Sequence, residues 1–377
     1  MQILKTLACL GTALFMAASP VSAADGKPQR IIFAGFFGPD HPNTQMMSRF
    51  KEEIELASDG KFKVTLKPDS IAGGEEKIMA LVKRGTIQVA QVGGLIKNDE
   101  PMIGGWEQPF VIKNWEHARA VFLSGGMKRF EGNYTARSGA RIAGVIVNGF
   151  RQVSSRFPVR NMEEMAKMKI RVPLNEVFVK LFTAAGAKAV PLPATNLYEA
   201  LARGTVDGQD NPYAMVKSMD WWKVNKYMLE TRHVFSPTFI LVNEKWYQSL
   251  DEKSRALFDE SMTHAIAYNW DVSEREEANT VEFLRQNGVK ITVPDAKLKA
   301  HMIEAAKPVW EWFDKAVPSA RQIREYCASV DPVNAHNAAV ATAAAASAAD
   351  DASNGAANDV PEPVKAAPES GKAANAK

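Results

Sequence analysis

One local pattern occurs twice in this chain and limits the architectures that it can adopt. Residues 80–91 (ALVKRGTIQVAQ) and 200–210 (ALARGTVDGQD) both suggest a helix, then Arg-Gly-Thr, then a strand. Gly85 and Gly204 fit the left-handed residue that commonly follows a helix end. Alternation of strands and helices is typical of α/β proteins. The repeat therefore predicts an α/β chain with two lobes built on one plan, each offering a strand end to a shared cleft.

The N-terminal part of the chain supports the α/β interpretation. Residues 30–37 (RIIFAGFF) resemble a first strand, and residues 43–58 carry apolar side chains near helical spacing. Residues 61–68 (KFKVTLKP) alternate apolar and polar side chains, as a half-buried strand does. These segments predict a strand, a helix and a second strand in succession.

A long helix is predicted over residues 249–287. Ser249 and Glu252 have the spacing of a capping box, and Asn287 is followed by Gly288, a plausible stop. About 35 residues that rise about 1.5 Å each would span roughly 50 Å. A helix of this length could brace both lobes.

Composition limits the function classes. The chain has 377 residues, which is comfortable for two domains, and its net charge of +3 is spread without a basic cluster. Nucleic-acid binding is therefore not expected. The six histidines are scattered, the two cysteines are Cys9 and Cys327, and no Gly-x-Ser-x-Gly elbow or Walker loop occurs. We expect no metal site, no cofactor and no enzyme activity.

The two ends of the chain differ from the rest. Residues 1–24 contain Lys5, an apolar run of about twelve residues and small residues before Ala23 and Ala24, as in a secretory signal. No other segment is apolar and long enough to insert directly into a membrane. Residues 334–377 are rich in Ala, Asp, Asn, Ser, Pro and Lys, and they predict a disordered tail. The mature protein is therefore expected outside the cytoplasm.

Two arginines, Arg151 and Arg171, each follow or end a β-rich run beside a turn. An arginine at a strand end can direct its planar guanidinium into a cleft, where it matches a carboxylate bidentately. Structural salt bridges are the alternative explanation. Asn211 lies nearby in the segment 206–212 (VDGQDNP) and offers an amide donor. Together these side chains suggest a site that holds an organic acid.

The motifs around these residues resemble the TRAP-type solute-binding proteins of the DctP-like family. The resemblance rests on Phe-Arg-Gln at 150–152, Lys-Ile-Arg-Val-Pro at 169–173, Tyr-Glu-Ala-Leu at 198–201 and the segment 206–212, and it covers roughly residues 28–330. It implies a periplasmic receptor with the two-lobed periplasmic binding protein fold, an interlobe ligand cleft and a long bridging helix. The implied lobes are 25–148 with 237–276, and 149–236 with 277–333.

The resemblance also implies a set of ligand-binding residues. Arg171 matches the main carboxylate ligand of the family, Arg151 its second arginine and Asn211 its amide donor. The remaining candidates are Phe36, Phe37, Glu75, Tyr213 and Gly93.

Departures from the family pattern bear on the ligand. Ala194 stands where relatives often carry an aromatic residue, and Gly93 begins a Gly-Gly-Leu-Ile segment where sialic-acid-binding relatives carry polar groups. The first-lobe side of the cleft is therefore expected to be roomy and apolar, which argues against sialic acid. An aromatic acid stacked on Phe36 or Phe37 is one hypothesis. A small dicarboxylate, with both phenylalanines in the core, is the other.

The function implied by the resemblance is a substrate-binding receptor that closes on a small carboxylate and delivers it to the large and small membrane subunits of a TRAP permease. A periplasmic sensor of the same fold is an alternative. A lyase or isomerase that uses Arg and Asn is a further one.

Overall fold

The computed structural model describes residues 28–317 and 319–334, so the predicted signal segment and nearly all of the predicted tail lie outside the described residues. The strands are β1 (Gln29–Ala34), β2 (Phe62–Lys67), β3 (Val89–Val92), β4 (Ala140–Phe150), β5 (Gln152–Ser155), β6 (Lys169–Val172), β7 (Lys188–Pro191), β8 (Gly208–Asn211), β9 (Tyr227–Leu229), β10 (Phe235–Asn243) and β11 (Lys290–Thr292).

The helices surround these strands. They are α1 (Pro42–Ala57), α2 (Glu75–Lys83), α3 (Pro101–Gly104), α4 (Trp115–Leu123), α5 (Gly126–Arg129), α6 (Tyr134–Ser138), α7 (Met162–Ala166), α8 (Glu176–Ala184), α9 (Leu197–Ala202), α10 (Tyr213–Ser218), α11 (Glu244–Gln248), α12 (Glu252–Gln286), α13 (Ala296–Ala316) and α14 (Ala320–Ser329). Short 3-10 helices lie at Gly94–Asn98, Gly105–Glu107, Ala194–Asn196 and Trp221–Lys223.

Within the described residues the strands form two sheets. The first sheet has the order β2-β1-β3-β10-β4, in which β10 runs antiparallel to both of its neighbours. The second sheet has the order β11-β9-β5-β8-β6-β7, in which β5 runs antiparallel to β8 and β9. The remaining pairs are parallel, as expected where helices connect the strands. The architecture is a two-lobed α/β fold.

One of the chain connections between the two sheets is a single residue long. Arg151 alone separates β4 of the first sheet from β5 of the second. Its backbone N–H donates to Val234 O at 2.8 Å, directly before β10 begins. Gly149 precedes this crossing with a φ of +117°, which a residue with a side chain rarely adopts. Two chain segments therefore pass between the sheets side by side.

The repeated helix–Gly–strand pattern is confirmed in both sheets. Gly85 follows α2 with a φ of +77° and leads to β3, while Gly204 follows α9 with a φ of +71° and leads to β8. Each glycine takes the left-handed conformation that ends a helix and turns the chain back to its sheet. The strand β3 belongs to the first sheet and β8 to the second.

The long helix is present as α12, with 35 residues, but its predicted cap was wrong. Asp251 is the N-cap, and its Oδ1 accepts a hydrogen bond from Ser254 N at 2.8 Å. Ser249 instead ends α11, where its hydroxyl donates to Trp246 O. The capping carboxylate places a negative charge at the positive end of the helix dipole, which favours Asp over Ser there.

Candidate functional site

A cavity of about 70 Å³ lies where the two sheets meet, and residues from both line it. An adjoining cavity of about 270 Å³ shares part of this wall, including Phe36, Glu75 and Arg171. Six of the eight predicted site residues line the first cavity: Phe36, Glu75, Gly93, Arg151, Arg171 and Asn211.

Arg171 contributes a guanidinium group to the wall of this cavity. The residue lies one position before the end of the short parallel strand β6, and Pro173 directly follows the strand. Its Nε donates to Leu192 O at 2.8 Å, and among the described residues it forms no ion pair. Burial lowers the pKa of Arg171 to about 10, and the side chain is only 3% exposed. A buried cation without a partner is costly, so this site favours an anion from outside.

Arg151 is held by an anion of the protein. Its Nε donates to Asp210 Oδ2 at 2.7 Å, and its Nη2 donates to the Asp210 backbone oxygen. Burial opposes the ionisation of Asp210, but the Arg151 charge and a bond from His233 outweigh it and keep the pKa of Asp210 below its usual value. The third nitrogen, Nη1, lies 3.4 Å from Ser236 Oγ. Arg151 therefore belongs to a buried ion pair beside the cavity.

His233 contacts the carboxylate of that ion pair. Its Nε2 lies 3.2 Å from Asp210 Oδ2, and its Nδ1 lies 2.7 Å from Thr231 Oγ1. Burial lowers the pKa of His233, which favours the neutral ring. The tautomer that carries its proton on Nε2 satisfies both contacts, since it donates to Asp210 and accepts from Thr231.

Asn211 lies at the end of β8, next to Asp210 in the chain. Its Nδ2 donates to Gln209 Oε1 at 2.5 Å, and Gln209 Nε2 donates to Ser154 Oγ at 2.7 Å. The strand predicted after Arg-Gly-Thr is present, since residues 208–211 pair with β5 and β6 as a central strand. This pairing fixes the amide of Asn211 beside the two arginines.

Two carboxyl groups line the opposite wall. Glu75 begins α2, and its Oε1 accepts from Leu95 N at 3.1 Å. A side chain at Gly93 would contact that carboxylate at 3.3 Å, so the glycine makes room for it. Burial raises the pKa of Glu75 to about 7. Among the described residues Glu75 forms no salt bridge.

The second carboxyl group, Glu107, was not predicted. Its Oε2 accepts from Asn175 Nδ2 at 3.0 Å, and its Oε1 lies 3.4 Å from Ser236 Oγ. Burial raises the pKa of Glu107, although Arg151 and Lys97 oppose the shift. Glu107 is isolated in the segment Gly-Trp-Glu-Gln-Pro, so neither a motif nor helical or strand spacing marks it.

Asn148 is another residue that the sequence could have indicated. It interrupts the apolar end of β4, and its side-chain oxygen is buried without a hydrogen-bond partner among the described residues. A polar residue at the end of an apolar strand is the same signal that identified Arg151. With Glu75 and Glu107, Asn148 makes the first-sheet wall more polar than expected.

Two of the predicted site residues lie elsewhere. Phe37 is fully buried, and its ring stacks on Phe36 at 4.2 Å and on His41 at 4.4 Å, so it belongs to the core. Tyr213 opens α10, and its hydroxyl donates to Glu230 Oε2 at 3.0 Å outside the cavity wall. Phe36 is the one aromatic side chain of the predicted pair that lines the cavity.

The part of the chain that the structure describes contains no group of three or more His, Cys, Asp or Glu side chains placed to hold a metal ion. In residues 28–317 and 319–334, no helix has both the length and the apolar character that a membrane span requires.

Comparisons with known proteins agree with this architecture. An uncharacterized protein of Haemophilus influenzae is 27% identical over 85% of this chain and 98% of its own length. The structure of a TRAP periplasmic solute-binding protein from H. influenzae with bound L-gulonate matches with a TM-score of 0.76 and 26% identity, over 80% of this chain and 99% of that one. The sugar acid-binding protein DctPAm of Advenella mimigardefordensis, in complex with galactonate, shares the fold with a TM-score of 0.78 and 24% identity, over 81% of this chain and 100% of that one.

The sequence model of the family described as "Bacterial extracellular solute-binding protein, family 7", DctP, matches residues 33–316, which is most of the chain. Together with the two-sheet fold and the cleft between the sheets, this match shows that the chain belongs to the DctP family of TRAP-type periplasmic solute-binding proteins.

Proposed function

We propose that this protein is the substrate-binding receptor of a TRAP transporter, which captures an organic acid between its lobes and delivers it to a membrane permease with a large and a small subunit. The observation that carries the proposal is Arg171, a buried guanidinium in the cleft without an anionic partner among the described residues. A ligand carboxylate would supply that partner and accept two parallel hydrogen bonds.

The proposed roles of the site residues follow from their positions. Arg171 and Asn211 would bind the carboxylate, and Arg151 would support it from the ion pair with Asp210. Phe36, Glu75 and Gly93 would contact the ligand body from the first-sheet side. The related H. influenzae protein holds L-gulonate, which is a carboxylic acid.

Closure of the lobes would retain the ligand. The proposed lobes, 25–148 with 237–276 and 149–236 with 277–333, meet at the cleft that contains these residues. A ligand shifts the population toward the closed form only as far as it binds that form better. Members of this family are periplasmic, and we propose that residues 1–24 direct this protein there.

A thermal-shift screen tests the proposal. The panel contains C4-dicarboxylates, sugar acids, keto acids and aromatic acids, with neutral sugars and amino acids as controls. An acid at about 100 times its dissociation constant adds roughly 2.7 kcal/mol of stability, which raises the melting temperature. We expect a shift with at least one acid class and none with neutral sugars.

Substitutions of Arg171 then test whether the rise in melting temperature comes from binding in the cleft. Arg171→Ala should abolish the shift, and Arg171→Lys should retain only part of it because lysine keeps the charge but loses the planar fork. Arg203→Ala is the matched control, since Arg203 is exposed and pairs with Glu199 on the surface. A shift that survives in Arg171→Ala would contradict the proposed role of the cleft.

A further inference from the structure

The charged side chains that line the cavity can neutralise one ligand carboxylate. Arg151 and Arg171 are the two cationic side chains of its wall. Arg151 is neutralised by Asp210 at 2.7 Å, whereas Arg171 has no ion-pair partner among the described residues. One unpaired guanidinium matches one carboxylate.

The opposite wall is acidic. Glu75 and Glu107 both line the cavity, and neither forms a salt bridge among the described residues. Burial raises the pKa of both groups, and for Glu107 it outweighs the opposing charges of Arg151 and Lys97. In the adjoining cavity, Lys77 is accompanied by Glu76 and is exposed to solvent. A second ligand carboxylate near this wall would meet like charge.

The same wall offers hydrogen-bond acceptors. Asn148 is more than nine-tenths buried, and its side-chain oxygen has no hydrogen-bond partner among the described residues. Ser236 and Asn175 lie beside Glu107 and hold its two oxygens in place. The His41 side chain also contacts Asn148, and a ligand donor at the remaining acceptor position is favoured because an unpaired buried acceptor costs about 1–3 kcal/mol.

We propose that the ligand is a polyhydroxy monocarboxylate, whose carboxylate binds Arg171 and whose hydroxyl groups bind Glu75, Glu107 and Asn148. This inference rests on the proposed receptor function and specifies its substrate class. The two glutamates act as specificity-determining residues that exclude a second carboxylate. The acidic and amide wall also excludes an acid with a purely apolar or aromatic body, because such a body would leave these groups buried and unpaired.

Hydroxyl groups suit this wall for a further reason. A hydroxyl group both donates and accepts, so it pairs with a glutamate in either protonation state and with the oxygen of Asn148. A carboxylate only accepts, so it would force both glutamates to take up protons or face repulsion.

Calorimetric titration with matched six-carbon probes tests the inference. The probes are four aldonates (gluconate, gulonate, galactonate and mannonate), the corresponding dicarboxylic aldarates, the corresponding neutral alditols, and hexanoate, with succinate as a small dicarboxylate. We expect at least one aldonate to bind. Its aldarate, its alditol, hexanoate and succinate should each bind at least tenfold more weakly, where tenfold corresponds to about 1.4 kcal/mol.

Variants of the acidic wall connect the selectivity to the glutamates. In the double variant Glu75→Gln/Glu107→Gln the ratio of aldonate to aldarate affinity should fall at least about fivefold, because neither side chain can then carry a negative charge, while the shape of the wall changes little. Glu199→Gln, on the exposed surface, is the control and should leave the ratio unchanged. Gly94→Ala adds a methyl group that would overlap the Glu107 carboxylate, so it should weaken aldonate binding while leaving every charge in place.

The outcomes separate this inference from the receptor function. Equal or tighter binding of an aldarate, succinate or hexanoate that Arg171→Ala abolishes would refute the substrate class and leave the receptor intact. An unchanged ratio in the double glutamine variant would refute the role of the two glutamates. Absence of binding by every acid in both panels would overturn both proposals.

Discussion

Arg151 and Arg171 should respond oppositely when each is replaced by methionine in the ligand-free protein. Both side chains are at most 4% exposed, but Arg151 is paired with Asp210 at 2.7 Å and Arg171 has no ion-pair partner among the described residues. Removal of Arg151 leaves a buried carboxylate that retains only His233, and breaking a buried ion pair in this way costs about 3–5 kcal/mol.

Arg171→Met removes a buried positive charge whose desolvation destabilises the folded state. Burial lowers the pKa of Arg171 from its ordinary value to about 10. At about 1.4 kcal/mol per pKa unit, the charged form of Arg171 destabilises the folded state by roughly 3 kcal/mol. The lost hydrogen bond to Leu192 offsets about 1 kcal/mol of the gain. We therefore expect Arg171→Met to be neutral or to stabilise the ligand-free protein by up to about 2 kcal/mol.

Urea unfolding followed by circular dichroism measures the difference. Each protein is first unfolded and refolded to remove any co-purified acid, since bound ligand would mask the effect. Arg151→Met/Asp210→Asn should recover much of the loss, because the uncompensated carboxylate is gone. Equal destabilisation by the two single variants would refute the reasoning, since it would mean that Arg171 also has a stabilising partner in the empty protein.

Two further predictions concern single ionisable groups. The pKa of Glu75 is raised to about 7, so the folded state binds a proton more tightly than the unfolded chain, and the stability of the ligand-free protein should fall as the pH rises from about 4.5 to 7. Glu75→Gln should flatten this part of a melting-temperature profile, and an unchanged slope would contradict the assignment. Cys327 is buried and its thiol pKa is raised to about 12, so it should resist a thiol reagent at pH 8 until denaturant is added. Rapid labelling of the native protein would show that the thiol is accessible.

The sequence allowed prediction of those cavity-lining residues that lie at strand ends. Arg151, Arg171 and Asn211 each lie at or near the end of a strand, and the alternation of strands and helices indicates where those ends meet. Gly85 and Gly204 were predictable for a similar reason, since a local backbone conformation requires glycine there. Such features depend on a few neighbouring residues, so the local sequence indicates where they lie.

Features that depend on distant partners were not predictable. Glu107 enters the cleft because Asn175 and Ser236 hold it there, 68 and 129 residues away in the chain. Phe37 was expected in the cleft with Phe36, but it stacks on His41 at the start of the following helix. The cap of α12 was misplaced by two residues because several polar residues near position 250 could serve. In each case tertiary contacts decided among local alternatives.

The one-residue crossing between the sheets has a mechanical consequence. Arg151 is at once the chain segment that would act as the pivot of closure and the side chain that contacts Asp210 beside the cavity. Atoms near a pivot move through short arcs, whereas atoms far from it sweep through long ones. The part of the pocket that is proposed to bind the ligand carboxylate would therefore keep its geometry in the open and closed forms. Glu75, on the other wall, would change its distance from that part. The carboxylate of an incoming acid would thus bind to a site that is already formed in the open protein. The rest of the ligand would contact the wall that contains Glu75 only during closure, so selectivity for that part of the ligand would depend on closure.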